Sequence, residues 1–219
     1  MDKKYTDITV IIDKSGSMSP LTEGTISGFN EFLKEQQGVE GKATLTLVQF
    51  DNEYEVTCSG QDIREVKELD TNTYVPRGTT ALYDAVMRAL DEMEARHKKL
   101  KKKSRPGQNV VVIITDGHEN ASSDFAGPEG AEKVQARIKK LQEDKDWKFT
   151  FFGANIDAKL AAGQLGIASQ FAVQYQSTNH SVARSFATAS STIGSYRGGN
   201  DYSVDQSLMN EDNDQDSSN

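Results

Sequence analysis

Two runs made wholly of β-branched residues, Ile8–Thr9–Val10–Ile11–Ile12 and Val110–Val111–Val112–Ile113–Ile114, constrain this chain most. Neither alternates polar with apolar, so each predicts a strand covered on both faces, as in the middle of a parallel sheet. Helical periods separate and follow them. Leu82, Val86, Leu90 and Met93 repeat at four, four and three residues within a predicted helix over about 80–97. Other helices are predicted over about 22–37, 130–143 and 158–165, and over 180–194 through Val182, Phe186 and Ile193. Residues 43–50 and 53–58 read as consecutive strands turning at Asp51–Asn52, with shorter strands at 149–152 and 171–173. Strands alternating with amphipathic helices predict an α/β fold: an open, doubly wound, mostly parallel sheet with one antiparallel edge strand and helices on both faces.

A chain of 219 residues can bury roughly 70% of its surface, so one core needs no disulfide staple. The net charge of −8 is uneven. Asp201, Asp205, Glu211, Asp212, Asp214 and Asp216 crowd the last nineteen residues without a Lys or Arg, leaving 25 cations against 27 acids elsewhere. The expected organisation is one domain over 1–197 and an acidic, disordered tail over 198–219. Glu211 or a neighbouring Asp is also a candidate internal occupant of any cation site. An opposite run, Arg96, Lys98, Lys99, Lys101, Lys102, Lys103 and Arg105, contains no acid. It reads first as a solvated helix end, where cations are favourable, and second as a contact for phosphate backbones.

The lone cysteine, Cys58, permits no internal disulfide and reads as a small buried hydrophobe. Met1 to Asp7 are charged and polar, and no apolar run approaches a membrane span. The expected location is cytoplasmic.

Candidate chemistry lies where both strong strands end. Asp13 opens Asp13–Lys14–Ser15–Gly16–Ser17, Asp116 closes Thr115–Asp116–Gly117, and Gly78–Thr79–Thr80 precedes a predicted helix. Ligands of open α/β sheets bind outside the carboxyl ends of strands. If the three loops converge, Asp13, Ser15, Ser17, Thr80 and Asp116 present only oxygen donors, a set for a hard cation rather than zinc or copper. Lys14 is expected to point away from that set.

These motifs resemble the von Willebrand factor type A (vWA) domain with its metal-ion-dependent adhesion site, over roughly residues 5–175. Asp13, Ser15 and Ser17 match the family's Asp-x-Ser-x-Ser motif, Thr80 its threonine with Thr79 as fallback, and Asp116 its later aspartate. The resemblance implies Ser15, Ser17 and Thr80 as direct ligands of Mg²⁺ (Mn²⁺ or Ca²⁺ as alternatives), with Asp13 and Asp116 acting through water. It further implies a protein-interaction module that docks a partner's Asp or Glu on the ion, rather than an enzyme; nucleic acid is not an expected partner. Two alternatives are a metal-assisted phosphohydrolase, with His118 as its candidate base, and an adaptor whose segment 96–105 contacts nucleic acid. Glu119 and Asn120 are expected near the docking surface, with Phe125 and Tyr83 at its rim, and Trp147 in the core.

Overall fold

A computed structural model describes residues 1–209. Its strands are β1 (Asp2–Asp13), β2 (Lys42–Phe50), β3 (Tyr54–Asp62), β4 (Pro106–Thr115), β5 (Lys148–Ala154) and β6 (Ala172–Tyr175). Its helices are α1 (Thr22–Gly38), α2 (Leu82–Lys99), α3 (Gly127–Lys145), α4 (Ala158–Gln164) and α5 (Asn179–Arg197). The strands form one sheet in the order β3-β2-β1-β4-β5-β6. Every pairing is parallel except β2 with β3. The predicted fold class is therefore the observed one.

The two β-branched runs are β1 and β4, paired side by side from Ile8 opposite Val110 to Ile12 opposite Ile114. Their side chains alternate between two cores. Ile8, Val10, Ile12, Val110, Val112 and Ile114 meet α1 and α5, whereas Ile11, Val111 and Ile113 meet α2, α3 and α4. Burial on both faces is why these strands carry no polar alternation. The chain leaves β1 toward β2 and leaves β4 toward β5, so strand order reverses between them. That switch point is where the fold opens a crevice.

Gly24 weakens α1 as an isolated helix but permits its contact with α5. A Cβ at Gly24 would lie 2.1 Å from the carbonyl oxygen of Asn179, whose own side chain accepts from Gly24 N at 2.8 Å. Farther along, Gln36 Nε2 donates to the carbonyl and hydroxyl of Ser190. Arg197 Nη1 and Nη2 donate to the carbonyls of Gln36 and Val39 at the end of α1.

Three expectations change. α2 starts at Leu82, so Thr80 lies in the loop ahead of it. Cys58 is half-buried, its Sγ 3.6 Å from the Leu45 carbonyl. The ordered body does not stop at 197. Tyr202 is 9% exposed, shares a 2.5 Å hydrogen bond with Thr150, and packs its ring on Tyr196 and Phe171. Apolar burial of that one ring offsets the Gly- and Asn-rich sequence around it. The remainder of the expected tail, 210–219, lies outside the described residues. No described helix is long and apolar enough to cross a membrane.

Candidate metal centre

The reversal between β1 and β4 places the ends of both strands at one crevice, and two buried tyrosines hold them there. Tyr74 Oη donates to the Asp13 carbonyl at 2.7 Å, and Tyr175 Oη donates to the Thr115 carbonyl at 3.1 Å. Burial above all lifts both phenols far beyond their ordinary range, so they remain donors.

The loop after β1 is zipped to the loop before α2. Gly16 N donates to the Gly78 carbonyl at 3.1 Å and Arg77 N to the Lys14 carbonyl at 2.7 Å. Gly78 has φ +68°, and a Cβ there would strike Asn52 Oδ1 at 2.1 Å, so glycine is required for both conformation and approach. Lys14 does point away, its Nζ pairing with Glu55 on β3 at 2.6 Å.

Thr80 is clamped by a residue whose part was not evident from sequence. Thr80 N donates to Asn120 Oδ1 at 2.9 Å, while the Thr80 carbonyl accepts from Asn120 N at 3.0 Å and Ala121 N at 3.2 Å. Glu119 supports the same junction by accepting from Tyr83 N at 2.9 Å and from Ala121 N and Ser122 N. The sequence signal was an acid and an amide directly following the Asp116 loop, able to meet free N–H groups at a helix start. Thr80 is buried, whereas the fallback Thr79 is exposed.

All five candidate residues come together. Ser15 N donates to Asp13 Oδ1 at 2.7 Å and Thr115 Oγ1 to Asp13 Oδ2 at 2.5 Å. Ser15 Oγ and Ser17 Oγ are 3.1 Å apart, and Ser17 Oγ donates to Asp116 Oδ1 at 2.6 Å. A Cβ on Gly117 would lie 3.5 Å from Thr80 Oγ1 and 3.8 Å from Ser17 Oγ, which places these hydroxyls around one point. Asp13, Ser15, Thr80 and Asp116 are buried and Ser17 is exposed, so the cluster opens to solvent on the Ser17 side.

The electrostatics of the cluster are unfavourable as they stand. Burial pushes the Asp13 carboxyl up to about 6 against the two hydroxyl and amide donors that would lower it, with Asp116 adding to the rise. Burial also raises Asp116. Asp116 Oδ2 is buried and has no hydrogen-bond partner. An acceptor of that kind calls for a donor or a cation.

The fit to a hard cation rests on these observations. The donors are two carboxylates and three hydroxyls; among the described residues no group of three or more His, Cys, Asp or Glu could hold a metal. The 3.1 Å between the serine hydroxyls is close to the edge of an octahedron with bonds of about 2.1 Å, roughly 3.0 Å. The hydroxyl of Ser15 is bonded to Ser17, not to an imidazole, and His118 is exposed on its loop. Tyr83 is buried, Phe125 is half-buried, and Trp147 is buried in the same core layer.

Comparison with known proteins agrees with the fold. The sequence profile of the von Willebrand factor type A domain matches residues 7–170. No curated protein sequence matches the chain. Among solved structures, the vWF domain of the type V pili tip protein Mfa5 from Porphyromonas gingivalis is similar with a TM-score of 0.61 at 12% identity, covering 94% of this chain and 99% of that one. The manganese-loaded TRAP protein of Plasmodium vivax is similar with a TM-score of 0.54 at 17% identity, over 85% and 73% of the two chains. Proximal thread matrix protein 1 from the mussel byssus gives 0.54 at 16% identity, over 87% and 46%. The chain spans only 43% to 62% of the mussel protein, the Streptococcus sanguinis minor pilin and the Sulfolobus acidocaldarius and Catenulispora acidiphila proteins of this fold. Fold neighbours from byssal threads and pili overturn the expected cytoplasmic location. A lone cysteine and a polar N-terminal segment did not justify it.

Proposed function

The chain belongs to the von Willebrand factor type A domain family, and from that premise we propose that its switch-point crevice is a metal-ion-dependent adhesion site that docks an acidic side chain of a partner protein. Ser15, Ser17 and Thr80 would hold Mg²⁺ directly, with Mn²⁺ or Ca²⁺ as alternatives, and Asp13 and Asp116 would act through water. The observation that carries the reading is the buried Asp116 Oδ2, left without a partner beside the Ser15–Ser17 hydroxyl pair. A hard divalent cation supplies a Lewis-acidic position at which an incoming carboxylate binds. The Plasmodium vivax neighbour of the same fold is manganese-loaded, which is in keeping with a divalent-cation reading.

The chain's own residues do the positioning. Asn120 fixes the Thr80 backbone, and Tyr74 and Tyr175 fix the two strand ends. Asp13 orients the Ser15 backbone by accepting its N–H. With only neutral hydroxyls as direct ligands and both carboxylates acting through water, a bound divalent ion would keep its Lewis acidity toward a carboxylate from outside. The groove beside the Asp116 loop, lined by Tyr83, His118, Glu119 and Gln164 among others, gives a partner's flanking residues a surface next to the crevice.

Immobilised protein would be offered candidate partners in Mg²⁺ and in EDTA, alongside a Ser15→Ala/Ser17→Ala variant. A partner held through the site is retained only by wild type in Mg²⁺, and is lost when its docking Asp or Glu becomes Asn or Gln. Equal retention under every condition contradicts the reading.

A further inference from the structure

The basic run 96–105 lies at the opposite end of the sheet from the crevice, between the last turn of α2 and the start of β4. The fold divides its seven cations into two kinds. Arg96 is internal, its Nη2 donating to the buried Asp7 at 2.7 Å. Arg105 Nε donates to the Leu100 carbonyl at 3.2 Å, capping α2. Among the described residues no carboxylate pairs with Lys98, Lys99, Lys101, Lys102 or Lys103. The nearby Glu94 is already taken by Arg137 and Lys145, and Asp144 is the remaining acid on the rim.

A cleft of about 310 Å³ opens among these groups, large enough for a small organic ligand. Lys98, Lys102 and Arg105 line it, with Pro106, Asn109 and Trp147 as further wall. Its apolar side is rigid: Trp147 is 3% exposed and stacks edge-on with His97, which Asp7 holds at 2.6 Å. Asn109 is 5% exposed and its amide oxygen has no hydrogen-bond partner. Two unpaired lysines favour a multiply charged anion, the apolar wall favours a flat ring, and the orphan amide oxygen needs a donor.

We propose that this cleft binds a nucleotide-type ligand, with its phosphate at Lys98, Lys102 and Arg105 and its base toward Trp147 and Asn109. The phosphate could come from a free nucleotide or from a nucleic-acid strand, and the two sources share this chemistry. The site is independent of the adhesion crevice.

Trp147 is the single tryptophan of the chain, so its emission reports on this cleft alone. The full chain would be titrated with a nucleoside monophosphate, a short single-stranded oligonucleotide and inorganic phosphate. The proposal expects a saturable change in emission, unaffected by EDTA or by Ser15→Ala/Ser17→Ala. Saturation by the mononucleotide assigns a free nucleotide, and saturation by the oligonucleotide alone assigns a strand. Lys98→Gln/Lys102→Gln, both at exposed positions, should weaken binding about tenfold or more, whereas Lys34→Gln, on the exposed side of α1, should not. Asn109→Ala should weaken nucleotide binding and leave inorganic phosphate unchanged. No saturable change, equal losses in the Lys34 and Lys98/Lys102 variants, inorganic phosphate binding as tightly as nucleotide, or an Asn109→Ala variant that binds nucleotide like wild type would each overturn the proposal.

Discussion

Replacing Asp13 by Asn removes a carboxylate that the metal-free fold ionises against its own burial. Asp13 is fully shielded from solvent, and burial raises its carboxyl from 3.8 to about 6. At 1.36 kcal/mol per pH unit, carrying that charge costs the metal-free fold about 3 kcal/mol at neutral pH. The sign follows from proton counting. Between 3.8 and about 6 the folded chain keeps a proton that the unfolded chain has released, so stability falls as pH rises through that window. The contribution is fully present below the lower value and lost above the upper one. Asn keeps the shape and the acceptor for Ser15 N but does not titrate. Urea unfolding of wild type and Asp13→Asn in EDTA, near pH 4 and near pH 7, should show the gap moving toward the Asn variant by about 2.4 kcal/mol at the higher pH, because the unfolded carboxyl is already partly ionised at pH 4. Mg²⁺ at about 100 times its Kd should return about 2.7 kcal/mol to wild type at neutral pH, and less to the variant. A gap that is the same at both pH values would refute the argument that burial controls Asp13.

Other substitutions test the frame around the site. Gly24→Ala drives a methyl into Asn179 of α5 and should cost about 2 kcal/mol or more by thermal unfolding, whereas Gly163→Ala in α4, with open space around it, should be neutral or gain a few tenths. Arg96→Met leaves the buried Asp7 with His97 and Thr44 as partners and should cost about 3 kcal/mol in urea. Tyr202→Ala should cost about 3 kcal/mol and Tyr202→Phe about 1 kcal/mol, the worth of its bond to Thr150. An unaffected Tyr202→Ala variant would return the body's boundary to residue 197.

The layered fold was legible because β1 and β4 are buried on both faces, and a run such as Val110–Ile114 admits few other placements. The three site loops were legible because each carried its oxygen donors at a strand end or just ahead of a helix. The clamp on Thr80 was not, because Asn120 acts through a contact forty residues away in sequence, and only the β1–β4 adjacency brings it there. Tyr74 and Tyr175 were hidden for the same reason, since each reads as an ordinary core aromatic until its hydroxyl is seen on a strand-end carbonyl. Composition misplaced the end of the body, because one buried Tyr202 outweighs the polar residues beside it. The basic run looked uniform in sequence, and only the fold separates the internal Arg96 from the unpaired lysines.

The central claim is that the Asp13, Ser15, Ser17, Thr80 and Asp116 cluster holds a divalent cation. Anomalous scattering from crystals of the protein soaked in Mn²⁺ measures this directly. The account predicts a peak within bonding distance of the Ser15, Ser17 and Thr80 hydroxyls that is missing from Ser15→Ala/Ser17→Ala crystals. A crevice without a peak, or one whose peak survives in the variant, would contradict it.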